Sequence, residues 1–178
     1  IDLIKVLGCG VEIKTRHNKD LDTFSYENLK WDKVIICTDA DVDGYHIRTM
    51  VLTMIYRLIP TLIDRGNVYI AESPLFEITT SDHKSLFAYT EKEKNDIVKK
   101  LGNKKFTIQR SKGLGENDPD MMWHTTMCPD SRRLIRVNPD DVYETQRMFE
   151  ILVGDDLDGR KEFIEEYGER YLEMLDLS

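Results

Sequence analysis

The sequence predicts an α/β fold in which a partly parallel sheet is flanked by helices and followed by a helical carboxyl-terminal tail. Two short apolar runs, Lys33–Thr38 and Asn67–Ala71, contain the β-branched residues typical of buried strands. Between them, apolar residues recur at helical spacing over Ile47–Leu62, and Gly66 is a suitable helix stop. These segments predict a strand–helix–strand unit, and ligands of open α/β sheets bind at the carboxyl ends of such strands.

Shorter elements are predicted after this unit. Three segments alternate polar and apolar residues as half-buried strands do: Pro74–Thr80, Lys84–Tyr89 and Phe106–Gln109. Ser81 and Asp82 are turn-forming residues between the first two. Thr90 is a suitable cap for a helix that runs through Leu101 and ends at Gly102.

The last third of the chain is predicted to be mainly helical. Asp118 followed by Pro119 is a helix-start signal, which predicts a short helix over Asp120–Met127. Amphipathic spacing predicts two more helices, near Val142–Val153 and over Arg160–Leu175. No internal repeat interrupts this order.

The length of 178 residues suits one domain with an appended tail, so we divide the chain into a main domain of residues 1–137 and a helical tail of residues 138–178. With 40% hydrophobic and 33% charged residues, the composition is typical of a soluble protein, and no apolar run approaches a bilayer span. We therefore expect a cytoplasmic protein without a membrane partner. Because the chain opens at Ile1 with no Met or signal segment, we interpret it as part of a longer protein.

Charge and cysteine content exclude several classes of protein. The three cysteines, Cys9, Cys37 and Cys128, are odd in number and form no CxxC pair, which argues against a disulfide framework or a zinc site. The net charge of -8 argues against a free-standing nucleic-acid binder, because phosphate neutralisation requires clustered Lys and Arg. A role on DNA would therefore depend on a local site, a metal ion or a partner subunit.

The segment TDADVDG, residues 38–44, places three carboxylates at alternate positions directly after the first predicted strand. In an extended loop, Asp39, Asp41 and Asp43 would point broadly one way and form a hard oxygen site suited to Mg²⁺ or Mn²⁺. The alternative is structural: acids cluster in solvated loops, and Asp43 could cap a helix that starts near His46. Three acids at this spacing favour metal binding.

Two other motifs share these letters. The run resembles the first half of an EF-hand loop, but position twelve is Met50 where that loop needs a bidentate Glu. Phosphatases of the haloacid dehalogenase type also place D-x-D after a strand, with Thr or Val usual at the fifth position, where this chain has Asp43. A calcium sensor is therefore excluded, and a metal-dependent phosphatase stays as a weaker alternative.

The acidic segment and the His46–Thr49 segment after it are similar to the DxD segment of gyrase B and topoisomerase IV B subunits. Further matches follow in the family's order: Arg65–Gly66, Tyr69–Ala71, Ser73–Phe76, Lys112–Glu116 (KGLGE), Thr125–Met127 with Pro129, Arg132–Arg133 and Gly154–Asp156. The chain thus resembles the carboxyl-terminal part of the TOPRIM region and the following tail of a bacterial type IIA topoisomerase B subunit. The main domain is accordingly expected to be TOPRIM-like.

The resemblance implies a DNA cleavage and religation mechanism shared between subunits. In the family, a tyrosine of the A-type subunit attacks double-stranded DNA, and TOPRIM acids hold Mg²⁺, or Mn²⁺ in its place, against the phosphate and the departing 3′ oxygen. Asp39 and Asp41 would be the catalytic metal ligands, and Asp43 a third, outer ligand. The family assembles as a heterotetramer with the A-type subunit. ATP is used by an amino-terminal ATPase domain that is not in this sequence.

The sequence also departs from the family's pattern. The family has a Glu in an E-G-D-S segment before the DxD strand, and no such segment precedes Asp39. We therefore expect this chain alone to lack a metal ligand and the first TOPRIM strand, and to be catalytically inactive. The large insertion that some gyrase B subunits carry before KGLGE is also missing, since only 35 residues separate Phe76 from Lys112.

Four basic residues are candidate DNA contacts. Lys112 lies in the glycine-containing KGLGE segment, which the family places near the DNA gate, although five such residues alone would predict only a turn. Arg48 could touch DNA, balance the acids or form a surface pair. Arg132 and Arg133 could contact phosphate or pair with tail acids such as Asp155 and Asp156. Both possibilities stay open.

The sequence leaves two broader alternatives to the cleavage component. One is a non-catalytic assembly module that docks the A-type subunit, with purely structural acids. The other is the weaker phosphatase hypothesis. Metal titration separates the first alternative from the cleavage component, and hydrolysis of simple phosphate esters tests the second.

Overall fold

The computed structural model describes residues 1–111, 113–139 and 142–174. Within these residues the chain is a mixed α/β protein with a parallel pair of strands, which confirms the predicted class. The strands of the first sheet, in the order β1-β2-β6, are β1 (Val34–Ile36), β2 (Val68–Ala71) and β6 (Leu134–Arg136). The strands of the second sheet, in the order β4-β3-β5, are β3 (Phe76–Thr80), β4 (Ser85–Ala88) and β5 (Phe106–Arg110).

Helices connect and follow these strands. The α-helices are α1 (Asp2–Leu7), α2 (Val42–Leu58), α3 (Thr61–Asp64), α4 (Glu91–Leu101), α5 (Pro119–Met122), α6 (Val142–Val153) and α7 (Leu157–Tyr167). Short 3₁₀ segments lie at Tyr26–Asn28, Leu114–Glu116 and Gly168–Met174. A π-helical turn, Trp123–Met127, follows α5 directly. None of the helices in the described ranges is both long and apolar enough to cross a membrane.

The chain divides into two compact units. The first unit consists of Ile1–Ile35, Arg48–Tyr69 and Arg136–Ser178, and the second of Ile36–Ile47 and Ile70–Ile135. The second unit contains the acidic segment and the antiparallel β4-β3-β5 sheet, and therefore most of the candidate site residues.

The first unit is held together by an aliphatic core. Ile55, Ile59 and Leu62 are almost completely buried, because they recur on one side of α2 and its continuation into α3. Beside this core, the rings of Tyr56 on α2 and Phe149 on α6 stack with centroids 4.9 Å apart. Aromatic pairs in this geometry add stabilisation beyond the burial of their area, so the α2–α6 contact fixes the tail helix within this unit.

The second unit is built around its antiparallel sheet. Along β3, the side chains of Phe76, Ile78 and Thr80 are buried and alternate with half-buried residues, as a one-sided strand requires. The helix α4 that follows β4 begins with a reciprocal cap. The Thr90 hydroxyl accepts the Glu93 amide at 3.1 Å, while the Glu93 carboxylate accepts the Tyr89 amide at 2.8 Å.

Most predicted elements are confirmed, and the differences have local causes. The helix predicted over Ile47–Leu62 begins earlier, at Val42, and is interrupted by Pro60, which has no amide hydrogen to continue the bonding. The tail helix predicted from Arg160 begins at Leu157 instead, because Asp156 accepts the Gly159 amide at 2.9 Å and caps the helix there. The prediction of one α-helix up to Leu175 is wrong, because the α-helix ends at Tyr167 and a 3₁₀ segment, Gly168–Met174, follows it. Leu175 itself lies outside the described residues.

Candidate functional site

The acidic segment leads from β1 directly into α2. Strand β1 ends at Ile36, and a short loop connects it to the first helical residue, Val42. Thr38 in this loop is 8% exposed, and its carbonyl accepts the Ser73 hydroxyl at 3.4 Å. The start of the acidic segment is therefore fixed against the chain that follows β2.

Asp39 is fixed by the glycine-containing segment that the family resemblance places near the DNA gate. The Leu114 amide donates a 2.7 Å hydrogen bond to Oδ1 of Asp39. The neighbouring Gly113 faces the same carboxylate, because a Cβ added at this position would lie 3.5 Å from Oδ2 of Asp39. The structure thus brings the two sequence motifs together within the second unit, with the half-buried Asp39 carboxylate between them.

Asp41 caps α2. Its Oδ1 accepts the Gly44 amide at 2.7 Å, and its carbonyl accepts the Tyr45 amide at 3.0 Å. Gly44 itself is required by crowding, because a Cβ at this position would meet the Asp39 carbonyl oxygen at 2.1 Å. The backbone of the acidic loop is therefore tightly folded onto the first turn of α2.

Asp43 has a different environment from the other two acids. It lies in the first turn of α2 and is exposed, whereas Asp39 and Asp41 are half-buried. The prediction of an extended loop through all three acids is therefore wrong, because the helix starts at Val42. The helix cap is Asp41, which accepts from the first helical turn, whereas the structural alternative had given this role to Asp43. An acid in the first turn still interacts favourably with the helix dipole.

The donor set is compatible with a hard divalent cation. In the described part of the chain, no group of three or more His, Cys, Asp or Glu side chains has the arrangement of a metal site. Mg²⁺, however, commonly binds through one or two carboxylates and keeps several water molecules or phosphate oxygens. Each carboxylate offers about four acceptor positions, so the hydrogen bonds at Oδ1 of Asp39 and Asp41 leave capacity for such a cation. The donor chemistry of these two half-buried acids is therefore of the kind that Mg²⁺ binds.

Arg133 is held by an acid and an aromatic ring. Its guanidinium donates to the Glu93 carboxylate at 2.8 Å and lies 3.9 Å from the centre of the Tyr89 ring. The hydrogen bond from Arg133, with that from the Tyr89 amide, lowers the pKa of Glu93 below its ordinary value. The acidic partner is thus Glu93, whereas the sequence had suggested Asp155 or Asp156 of the tail.

For the other basic candidates, the structure gives the position in the chain and the burial. Arg132 is half-buried beside Arg133, and Arg48 is half-buried on α2. Lys112 lies outside the described residues. Their contacts with DNA stay predictions.

Sequence reasoning missed two polar residues beside this site. The Ser111 hydroxyl donates to Oδ1 of Asn117 at 2.8 Å, so the two side chains bridge the ends of the glycine-containing segment. A Ser and an Asn six positions apart give no sequence signal by themselves, because such pairs occur in many loops. The contact can be recognised only when the positions of Ser111 and Asn117 in the folded chain are known.

Two regions of the chain, which together include both motifs of the site, match known protein families. Residues 2–73 match the Toprim domain, and residues 103–165 match the DNA gyrase B subunit, carboxyl terminus. The DNA gyrase B subunit of Thermotoga maritima is 41% identical over 173 residues, covering 97% of this chain and 26% of the relative. The gyrase B subunit of Clostridium acetobutylicum is 47% identical over 80% of this chain and 23% of the relative. That of Thermus thermophilus is 46% identical over 85% of this chain and 24% of the relative.

An α/β unit with a DxD loop after its first strand, together with the matching domain, defines a Toprim-type protein. Both domain matches, and the identity to gyrase B subunits along most of the chain, then identify the family within this class. The chain belongs to the family of bacterial type IIA topoisomerase B subunits, of the DNA gyrase type. It spans about a quarter of the length of these relatives.

Proposed function

We propose that this chain is the Mg²⁺-binding DNA cleavage and religation component of a type IIA topoisomerase. The observation that supports this most directly is the Asp39 carboxylate held between the acidic loop and the glycine-containing segment. The acidic loop lies in the Toprim match and the glycine-containing segment in the gyrase B carboxyl-terminal match. The acids supply oxygen ligands for a cation, and the Leu114 amide holds one of these acids in place.

Asp39 and Asp41 are the proposed cation ligands, and Asp43 is a third, outer one. A bound divalent ion would neutralise negative charge on the scissile phosphate and on the departing 3′ oxygen. The residues of this chain contribute by orientation. Leu114 fixes the Asp39 carboxylate, and the helix cap at Gly44 fixes that of Asp41.

The nucleophile is assigned to the partner. In the proposed reaction, a tyrosine oxygen of an A-type subunit forms a bond with the DNA phosphorus, and the bond from phosphorus to the 3′ oxygen breaks. Religation reverses both changes. The partners are accordingly double-stranded DNA and an A-type subunit in a heterotetramer, with ATP used by the amino-terminal domain of the parent protein. Lys112, Arg48, Arg132 and Arg133 are the proposed contacts to DNA.

One observation favours the assembly module as a second candidate. Each half-buried acid already has a structural partner: Leu114 for Asp39 and Gly44 for Asp41. Acids with only these roles would stabilise the loop without holding a cation, and the chain would then serve to dock the A-type subunit. We propose the division at residue 137, between a Toprim domain and a helical tail, for the cleavage component and for the assembly module alike.

Crystals of the chain soaked in Mn²⁺ distinguish the two candidates. The cleavage component should show anomalous density at Asp39 and Asp41, and the density should disappear in an Asp39→Asn variant. An ordered loop without density, with Mn²⁺ bound elsewhere or nowhere, would support the assembly module. Calorimetric titration with Mg²⁺ gives the same distinction in solution.

A further inference from the structure

The side-chain bridge between Ser111 and Asn117 closes the glycine-containing segment at its base. The Ser111 hydroxyl donates to Oδ1 of Asn117 at 2.8 Å, and both residues are half-buried. Half-burial reduces competition from water, so the bond holds the two ends of the loop more firmly than a surface bond would. Between them lies Leu114, whose amide bonds Asp39.

Each end of the bridge is fixed to a regular element. The Ser111 amide donates to the Leu75 carbonyl at 2.9 Å, just before β3. The Asn117 side-chain amide donates to Sδ of Met122 at 3.7 Å, at the end of α5. The Asn117 backbone amide also donates to the Leu114 carbonyl at 3.4 Å. The bridge therefore transmits the position of β3 and α5 to the residue that bonds Asp39.

We infer that Ser111 and Asn117 are positioning residues that hold the Leu114 amide on Asp39 and thereby orient this carboxylate for the divalent cation. The inference rests on the proposed metal function. Neither side chain is assigned a contact with the cation or with DNA. Their effect passes through a single backbone amide, and this makes it separable from a general contribution to stability.

Hydrogen exchange at the Leu114 amide measures the positioning directly. In the 178-residue chain without metal, Ser111→Ala should speed exchange at Leu114 by about three- to tenfold, the range for losing one neutral hydrogen bond. Ser111→Thr keeps the hydroxyl and should restore the parent rate. Ser85→Ala, which removes a hydroxyl from an exposed position on β4, is the matched control and should change nothing at Leu114.

Titration with Mn²⁺ followed by electron paramagnetic resonance then tests the consequence for the cation. Ser111→Ala should raise the Mn²⁺ dissociation constant by about three- to tenfold, while Ser111→Thr and Ser85→Ala should match the parent. If Ser111→Ala fails to fold by circular dichroism, Asn117→Ala removes the other half of the bridge, and the same results are expected.

The outcomes separate this inference from the proposed function. Unchanged exchange at Leu114 in both bridge variants would overturn the inference. Faster exchange with unchanged Mn²⁺ affinity would also overturn it, because the bridge would then stabilise the loop without positioning the ligand. A parent chain that bound no Mn²⁺ at Asp39 would contradict the proposed metal function, and the inference about orientation for the cation would fail with it even if Leu114 exchange responded as expected.

Discussion

The backbone amide of Leu114 bonds Oδ1 of Asp39 at 2.7 Å, although the two residues are 75 positions apart in sequence. This contact joins the DxD loop and the KGLGE segment within the second unit. A carboxylate fixed by a backbone amide loses little conformational freedom when it binds a further ligand, because its orientation is already set. The geometry of each motif therefore depends on the other.

Asp39→Asn and Asp41→Asn should each abolish DNA cleavage in the full-length parent reassembled with its A-type subunit. Asn is nearly isosteric but neutral, so the proposed cation site would lose a charged ligand, and the cleavage rate should fall on the order of a thousandfold or more. Asn is also a good helix cap, so Asp41→Asn should keep α2 folded. The measurement is single-turnover cleavage at saturating enzyme, with ATP hydrolysis as an internal control. Cleavage at the parent's rate by Asp39→Asn would instead favour the assembly module.

Gly44→Ala should destabilise the second unit. The new Cβ would meet the Asp39 carbonyl at 2.1 Å, so the loop backbone must move, at a cost of about 1–3 kcal/mol in the free energy of unfolding. Gly115→Ala is the matched control, because a Cβ there has no neighbour within 4 Å among the described residues. Urea denaturation of both variants checks the difference. Equal midpoints for the two would show that the loop near Gly44 adapts without cost.

The Glu93–Arg133 pair should make a small contribution to stability that disappears in acid. Because Arg133 lowers the pKa of Glu93 in the folded chain, the stabilisation is present above the ordinary glutamate pKa and is lost as the pH falls through the folded value. Both side chains are at least a third exposed, so Glu93→Gln should cost less than about 1 kcal/mol at pH 7.

Urea denaturation at pH 7 and at pH 3 measures this contribution. The difference in the free energy of unfolding between Glu93→Gln and the parent should disappear at pH 3. A double-mutant cycle with Arg133→Gln isolates the pairwise term. An equal difference in the free energy of unfolding at pH 7 and at pH 3 would show that Glu93 acts through its cap on α4 and not through its charge.

Lys112→Ala should weaken DNA binding by the reassembled enzyme in a salt-dependent way. Losing one phosphate contact should reduce the slope of log affinity against log salt by about 1, with a smaller effect on cleavage of bound DNA. Lys161→Ala, an exposed lysine on α7, is the control and should keep the parent slope. A binding titration at several salt concentrations is the measurement. An unchanged slope in Lys112→Ala would remove Lys112 from the DNA contacts.

Local signals in the sequence were sufficient for most elements. The amphipathic spacing of Val142–Val153 and the Thr90 cap before α4 predicted both helices, because each signal acts within one or two turns. The start of α2 was placed too late, since the cap by Asp41 lies inside a segment that resembles an extended acidic loop. The π-helical turn at Trp123–Met127 also had no recognisable pattern.

The candidate site was only partly predictable for a related reason. The acids could be identified from their local spacing, whereas the KGLGE segment could be identified only by its resemblance to the family, because its composition alone predicts a turn. Their contact through Asp39 and Leu114 depends on the fold of the whole second unit, as does the Ser111–Asn117 bridge. Sequence spacing carries no information about such long-range hydrogen bonds.

The division of the chain into units has a consequence for the order of folding during synthesis. The second unit is dominated by the continuous stretch Ile70–Ile135, whereas the first draws on segments at both ends of the chain. During synthesis, Ile1–Ile35 precede the middle of this chain but cannot complete the core of the first unit until Arg136 and the residues after it have followed, for example Phe149, which stacks on Tyr56. Contacts that span so much sequence form slowly, so Ile1–Ile35 should complete their packing only after the Ile70–Ile135 stretch has folded.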